Sequence, residues 1–220
     1  MKKCIIFDLD GTLIDTSKGI VEAVSYTIEK LGLPSLTDSQ LLSFIGPPVQ
    51  ESFQHNCCLD RYEAQCVTDL YRSYYINNSL LHATLYNGVL QMLDDLKCKN
   101  YSLGVATYKR NDCVPTLLQH FGLDVFFSCI KGADQNNKLK KKDLIEDAVR
   151  SMGADAGQSI YIGDTIHDAT AASENAMDFV AVLYGFGFKT ESDLRNIDHY
   201  GFVKNPNEIV SVVQSLRNIC

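Results

Sequence analysis

A short apolar run lies near the start of the chain. In the second half of the chain, similar runs alternate with segments that have helical periodicity. Apolar runs of four to six residues predict strands over 4–7, 102–107, 125–129, 159–163 and 179–183. The helical pattern predicts helices over 88–99, 112–120, 142–152 and 169–176, and a last helix capped by Asn205 with Pro206 at its first position. Strands that are apolar throughout are typical of a sheet covered on both faces. The pattern therefore predicts an α/β fold with a parallel sheet between helices.

The interval between the first two predicted strands has a different character. It spans 72 residues, from Asp15 to Tyr86, whereas a crossover between parallel strands needs only about a dozen. Helical periodicity covers 17–31, 38–44, 49–56 and 60–76, without convincing strand alternation. We predict that residues 1–14 and 87–220 form a discontinuous α/β core domain and that residues 15–86 form an inserted all-helical domain.

Composition and charge exclude several classes of protein. No stretch approaches the ~20 consecutive apolar residues of a membrane span, and the chain opens without a secretory signal pattern. The formal net charge of −7 argues against a general nucleic-acid binder. Eight cysteines without a Cys-x-x-Cys pair indicate reduced thiols rather than a zinc site or disulfides. We expect a cytoplasmic protein, a monomer or weak homodimer, that binds neither nucleic acid nor membranes.

Polar side chains stand where three of the predicted strands end. Asp8 and Asp10 follow the first strand, Thr107 ends the second, and Asp164 follows the strand over 159–163. Ligands of open parallel sheets bind at the carboxyl ends of the strands. Two carboxylates placed this close repel each other unless a cation lies beside them, and hard cations such as Mg²⁺ prefer carboxylate oxygens. The pattern predicts a magnesium site.

The stretch from Asp8 to Leu13, Asp-Leu-Asp-Gly-Thr-Leu, resembles the first motif of the haloacid dehalogenase superfamily. Thr107 and the stretch from Gly163 to Asp168 resemble its second and fourth motifs. Most members are Mg²⁺-dependent phosphatases with a Rossmann-like core. The resemblance implies that Asp8 is the nucleophile that forms an aspartyl-phosphate and that Asp10 is the general acid and base. It implies that Thr107 binds the phosphate.

The superfamily also needs a lysine near a helix start and a set of metal ligands. Lys141 fits best because it lies two residues before Asp143, and the other candidates are Lys138, Lys140 and Lys142. The implied metal ligands are Asp8, Asp10 through its carbonyl, Asp164 and Asp168. Asp168 has the alternative role of orienting the lysine.

The helical insertion resembles the cap of the phosphoglycolate phosphatase and β-phosphoglucomutase group. In such relatives a segment like the one containing Phe44 and Gly46 reaches the substrate, although a structural turn explains it equally well. Gly11, Thr12, Thr107 and Tyr108 are the other expected substrate-binding residues.

The expected partner is a small phosphorylated metabolite, with phosphoglycolate, a nucleotide, pyrophosphate and a sugar phosphate all open. We predict a phosphatase similar to phosphoglycolate phosphatase. A phosphomutase is the alternative, but the mutases carry a histidine soon after the first motif, and residues 15–19 contain none. A catalytically silent phosphate-binding relative is the other alternative.

Overall fold

The computed structural model describes residues 4–135 and 138–217. Its strands are β1 Cys4–Phe7, β2 Ile14–Asp15, β3 Thr84–Leu85, β4 Ser102–Arg110, β5 Cys129–Ala133, β6 Ser159–Gly163, β7 Asp178–Val182 and β8 Gly201–Val203. Its helices are α1 Ser17–Leu31, α2 Asp38–Leu42, α3 Val49–Cys57, α4 Arg61–Tyr74, α5 Val89–Cys98, α6 Val114–His120, α7 Lys141–Ser151, α8 Ile166–Glu174 and α9 Glu208–Arg217.

The described chain divides into two units. Residues up to Ile14 and from Leu85 onward form an α/β unit, and Asp15–Thr84 forms a helical unit. The predicted return to the α/β part, at residue 87, is two residues later than the observed one. The short strands β2 and β3 pair where the chain passes from one unit to the other, and the sequence pattern did not predict them.

The α/β unit is built on a six-stranded sheet in the order β5-β4-β1-β6-β7-β8, with all neighbours parallel. All four residues of β1 are buried, as expected for a strand covered on both faces. The chain runs outward from β1 through β4 to β5, and then returns to the other side of β1 to form β6. The gap at the carboxyl ends of β1 and β6 is therefore the topological switch point, where ligands of such sheets bind.

The helical unit has its own aromatic core. The Phe53 ring is fully buried and packs edge-on against Phe44 and Tyr71. Tyr71 in turn stacks on Tyr75, where α4 passes into a π-helical turn over Tyr75–Ser79. Phe44, a predicted substrate-binding residue, is thus a core residue of its own unit.

The predicted strand over 125–129 is wrong. Asp124–Phe126 is a 3₁₀ turn with Val125 largely exposed, and β5 begins only at Cys129. β5 contains Lys131 and lies beside β4 at the edge of the sheet, so its apolar pattern is weak. The opposite edge strand, β8, is only three residues long and was not predicted.

Helices α8 and α9 begin away from their predicted first residues. Helix α8 begins at Ile166, three residues before the predicted start, because Thr165 and Asp168 form a capping box. Helix α9 begins at Glu208, after a turn that includes Pro206. No helix in the described part of the chain is long and apolar enough to cross a membrane.

Candidate active site

The predicted site residues of the α/β unit meet at the switch point of the sheet. Asp8 follows β1, Thr107 lies in β4, and Asp164 follows β6. Asp8 is 3% exposed, Thr107 1% and Asp164 0%. Carboxylates are rarely buried this completely unless they are paired or bind a metal, so this group of side chains marks a functional centre.

Lys141 is the lysine of this centre. Its Nζ atom lies 2.7 Å from Oδ1 of Asp8 and 2.9 Å from Oδ1 of Asp168. The backbone N–H of Lys141 donates to the Tyr108 hydroxyl at 2.9 Å, which fixes the start of α7. Of the four lysines that the sequence left open, Lys138 and Lys140 are exposed, Lys142 is half-buried and Lys141 is buried.

The charges of the centre shift one another's pKa values. Burial alone would lower the pKa of Lys141, but the carboxylates of Asp168 and Asp8 outweigh burial and raise it. Burial raises the pKa of Asp8 to about 6, with Asp168 and Asp10 adding to this rise and Lys141 opposing it. Lys141 is therefore held as an ammonium, and it partly neutralises the buried carboxylates.

Both carboxylate oxygens of Asp168 accept hydrogen bonds. Oδ2 accepts from the backbone N–H of Thr165 at 2.9 Å and from its hydroxyl at 2.7 Å. Oδ1 accepts from the Tyr161 hydroxyl at 3.3 Å and lies beside Lys141. These contacts favour the role of orienting Lys141 over that of an open metal ligand.

Asp164 is held by a loop that follows β7. Its Oδ2 accepts from the backbone N–H groups of Phe186 at 2.7 Å and Gly187 at 3.1 Å. Its Oδ1 is buried and has no hydrogen-bond partner among the described residues. Burial, together with Asp168 and Asp8, raises the pKa of Asp164 to about 8. One oxygen is thus fixed by the loop while the other needs a partner.

Glycines allow the backbone of the loop after β7 and of the turn after β1 to lie close to Asp164. A Cβ atom added to Gly185 would lie 2.5 Å from the Cβ atom of Asp164. Gly11 has a φ of +83°, and a Cβ atom there would lie 2.7 Å from the Asp164 carboxyl carbon. The sequence pattern predicted the Asp164 motif but gave no role to the Gly185–Gly187 loop.

The acidic cluster fits a divalent cation. Asp8, Asp164 and Asp168 each offer an oxygen, and these atoms all lie within 4.8 Å of one another. Hard cations such as Mg²⁺ prefer oxygen ligands of this kind. The unpartnered Oδ1 of Asp164 and the raised pKa of both Asp8 and Asp164 show that Lys141 does not fully compensate the charge of these buried carboxylates.

The Asp10 side chain has a different partner, which the sequence reasoning missed. The Nζ atom of Lys109 lies 3.0 Å from Oδ1 and 3.1 Å from Oδ2 of Asp10. The pair is nearly buried, with the side chains of Lys109 and Asp10 5% and 10% exposed. Lys109 follows the Thr107 motif by two residues, but only the observed irregularity of β4 shows where it lies.

The remaining predicted substrate-binding residues fall in both units. Thr12 is fully buried, and its hydroxyl has no hydrogen-bond partner within residues 4–135 and 138–217. The Oγ1 atom of Thr107 accepts from the backbone N–H of Lys109 at 3.2 Å. Phe44 and Gly46 belong to the helical unit, where Phe44 packs on Phe53 and Gly46 turns the chain with a φ of +104°.

The parallel α/β sheet gathers buried aspartates and a lysine at its switch point, as expected for a hydrolase that acts on phosphate esters. Residues 5–182 match the family of haloacid dehalogenase-like hydrolases, and the chain belongs to this family. The predicted resemblance, the fold class and the assignment as a hydrolase are thereby confirmed.

Two sequence relatives and one solved structure are similar to this chain over most of its length. A 5′-nucleotidase of Pseudomonas aeruginosa is 32% identical over 89% of this chain and 89% of its own. The pyrophosphatase PpaX of Halalkalibacterium halodurans is 28% identical over 95% of both chains. The crystal structure of a predicted phosphatase from Clostridium acetobutylicum has a TM-score of 0.92 and 31% identity, covering 98% of this chain and 99% of its own.

Proposed function

We propose that this protein is a Mg²⁺-dependent phosphatase that hydrolyses a small phosphomonoester through an aspartyl-phosphate on Asp8. The observation that carries the proposal is the buried contact of Lys141 with both Asp8 and Asp168, next to an Asp164 oxygen without a hydrogen-bond partner. A carboxylate nucleophile must meet a phosphate dianion, and a lysine and a divalent cation beside it reduce the repulsion between them.

In the first step, an oxygen of Asp8 attacks phosphorus and the bond from phosphorus to the leaving oxygen breaks. The Asp10 carboxyl gives its proton to that oxygen, so the product leaves as an alcohol. In the second step, the Asp10 carboxylate takes a proton from water, and the resulting hydroxide cleaves the aspartyl-phosphate. This step restores Asp8 and releases inorganic phosphate.

The other side chains bind and orient. The Lys141 ammonium, fixed by Asp168, would contact the phosphate and offset the charge of Asp8. Thr107 would donate its hydroxyl hydrogen to a phosphate oxygen. Asp8, Asp164 and the Asp10 carbonyl would hold Mg²⁺, which when bound supplies positive charge that stabilises the phosphoryl group.

The test is Mg²⁺-dependent phosphate release from a panel that contains phosphoglycolate, a 5′-nucleoside monophosphate, pyrophosphate and a hexose phosphate. We expect turnover by the wild type, and we expect EDTA to abolish it and Mg²⁺ to restore it. Asp8→Asn removes the nucleophile and should lower kcat at least ~10³-fold. Asp178→Asn changes a half-buried aspartate at the start of β7, outside the proposed machinery, and serves as the matched control.

Each outcome separates the alternatives. Activity that survives in Asp8→Asn would show that Asp8 is not the nucleophile. Transfer of phosphate to a second sugar phosphate, without release, would favour a mutase. Binding of Mg²⁺ and vanadate without turnover on any ester would favour a silent relative.

The substrate belongs to the same proposal. The resemblance of the helical insertion to the cap of the phosphoglycolate phosphatase group makes phosphoglycolate the first ester to test, and the similarity to a 5′-nucleotidase and a pyrophosphatase adds the next two. The preferred ester is the one with the highest kcat/KM in the panel.

A cytoplasmic location is also part of the proposal. All seven cysteines in the described part of the chain are free, and four of them are buried. Burial raises the pKa of Cys4 and Cys113 to about 11, so these thiols are poor nucleophiles. Free, unreactive thiols suit a reducing compartment.

A further inference from the structure

We propose that Lys109 is a positioning residue, which holds the Asp10 carboxyl in the orientation that proton transfer to the leaving group requires. The inference rests on the proposed phosphatase function, in which Asp10 is the general acid and base. The Lys109 ammonium lies within 3.1 Å of both Asp10 oxygens.

A bulge in β4 brings Lys109 to this position. Thr107 pairs with Gly132 and Arg110 pairs with Ala133, so two extra residues of β4, Tyr108 and Lys109, stand opposite a single step of β5. Bulges bend a strand and redirect its side chains. The Tyr108 hydroxyl then accepts from the Lys141 backbone while Lys109 reaches Asp10, so two successive residues serve different parts of the site.

The bulge is built into the surrounding backbone. The Lys109 N–H donates to the Thr107 hydroxyl at 3.2 Å. A Cβ atom at Gly132 would lie 2.8 Å from the Lys109 carbonyl oxygen and 2.7 Å from the Asn111 Cα atom. A glycine is therefore needed opposite the bulge, and Lys109 is fixed relative to the phosphate-binding Thr107.

A contribution to folding stability does not explain this buried ion pair. Replacing such a pair by apolar side chains of similar volume is often neutral or stabilising, because two charges must be desolvated to form it. A general acid, in contrast, contributes about 10²- to 10⁴-fold to the rate only while its oxygen stays within reach of the leaving atom. An ammonium that contacts both oxygens restricts rotation of the carboxyl group about its terminal bond.

The test uses the leaving group as a probe of Asp10. Phenyl phosphate releases a more basic oxygen than 4-nitrophenyl phosphate, so it depends more on protonation by a general acid. For Lys109→Met, we expect kcat/KM to fall by about 10- to 100-fold on phenyl phosphate and only several-fold on 4-nitrophenyl phosphate. This ratio of rates reports only the steps up to departure of the leaving group.

A double-substitution cycle shows whether Lys109 acts through Asp10. Asp10→Asn alone should lower kcat/KM on phenyl phosphate further than Lys109→Met does. The variant with both changes should be no slower than Asp10→Asn, since the group that Lys109 positions is already gone. Lys109→Arg keeps the charge and should recover part of the phenyl phosphate activity. Lys204→Met, at an exposed lysine, is the matched control.

Two results would overturn the proposal. Equal losses on both esters, or losses that multiply in the double variant, would mean that Lys109 binds the substrate phosphate directly.

If circular dichroism shows that Lys109→Met does not fold, Lys109→Gln is used for the same comparison. A leaving-group dependence that Asp10→Asn leaves unchanged would instead overturn the acid role of Asp10, which belongs to the proposed function.

Discussion

Asp164 is the residue whose surroundings say most about the chemistry of this protein. Its carboxyl group is fully buried, one oxygen accepts two backbone N–H groups, and the other has no hydrogen-bond partner in the described part of the chain. The nearby charges of Asp168 and Asp8 add to the effect of burial and raise its pKa to about 8. An ionised Asp164 is therefore unfavourable in the folded protein until a cation binds it.

This pKa predicts that Mg²⁺ stabilises the protein more at pH 8 than at pH 5. The pKa of Asp164 rises from 3.8, its ordinary value, to about 8 on folding, so the metal-free folded state loses stability as the pH rises between these values. A proton competes with Mg²⁺ for Asp164 at pH 5 but much less at pH 8. At pH 8, Mg²⁺ at ~100 times its Kd should raise Tm by about 5–10 °C.

The measurement is thermal unfolding at both pH values, with Mg²⁺ and with EDTA. Asp164→Asn should lose most of the Mg²⁺-dependent rise in Tm, and its metal-free Tm should fall less between pH 5 and pH 8. Asp178→Asn, at a half-buried aspartate at the start of β7, is the control and should behave like the wild type. An equal Mg²⁺ effect at both pH values would contradict the assignment of Asp164 as a ligand.

At the residue scale, the sequence predicted those side chains that belong to a motif. Asp8 and Asp164 follow apolar strands directly, so their place at the carboxyl edge of the sheet was predictable. Lys141 was the favoured one of four nearby lysines because of its spacing to Asp143, and the contact of its buried ammonium with Asp8 now separates it from the other three. Lys109 carried no signal at all, because its position depends on a bulge that the apolar pattern does not encode.

At the scale of elements, the loop after β7 is the least conspicuous part of the site. It supplies the two N–H groups that hold Asp164, and Lys189 donates to the carbonyl of Gly185 within it. The Tyr184 hydroxyl donates to the Thr12 carbonyl at 2.9 Å, which ties this loop to the turn after β1. The loop thus fixes Asp164 relative to the turn that carries Asp10.

We predict that Gly187→Ala weakens Mg²⁺ binding and catalysis together. An alanine Cβ atom would lie 3.0 Å from the Thr165 Cα atom and 3.1 Å from the Asp164 carbonyl carbon, so the loop or β6 must shift. Changes next to a metal ligand typically weaken metal affinity about 10- to 100-fold. The concentration of Mg²⁺ that gives half-maximal activity should rise by that factor.

The control is Gly201→Ala in β8, where the added Cβ atom would meet only Val212 Cγ1, at 3.5 Å. Its Mg²⁺ requirement should equal that of the wild type. A normal Mg²⁺ requirement in Gly187→Ala would show that the loop adjusts without moving Asp164.

The elements themselves were predictable to different degrees. Central strands such as β1 and β6 are buried on both faces, so their apolar runs gave the right bounds. Edge strands such as β5 and β8 need fewer apolar residues. The position predicted for β5 was wrong, and β8 was not predicted. The helix α1 was predicted with its observed bounds because its apolar face is regular and Gly32 ends it in the left-handed conformation.

At the scale of the whole molecule, the chain contains two separate cores. The α/β unit is organised around the buried strand β1, and the helical unit around the ring of Phe53. A 72-residue interval without a central strand is too long for a connection, which is why the sequence led us to expect a separate helical domain over residues 15–86. Two cores in one chain also mean that unfolding need not be a single transition.

This organisation predicts that a defect in the helical core stays local. Phe53→Ala leaves a cavity and should destabilise the helical unit by about 3–5 kcal/mol. Hydrogen exchange followed by mass spectrometry should then show faster exchange in peptides from α1, α3 and α4, while β1, β4 and β6 keep their wild-type rates. Tyr62→Ala, at a side chain that is 78% exposed on α4, is the control and should change neither set. Faster exchange in β1 and β6 as well would mean that the two units unfold together, because opening of one core would then expose the backbone of the other.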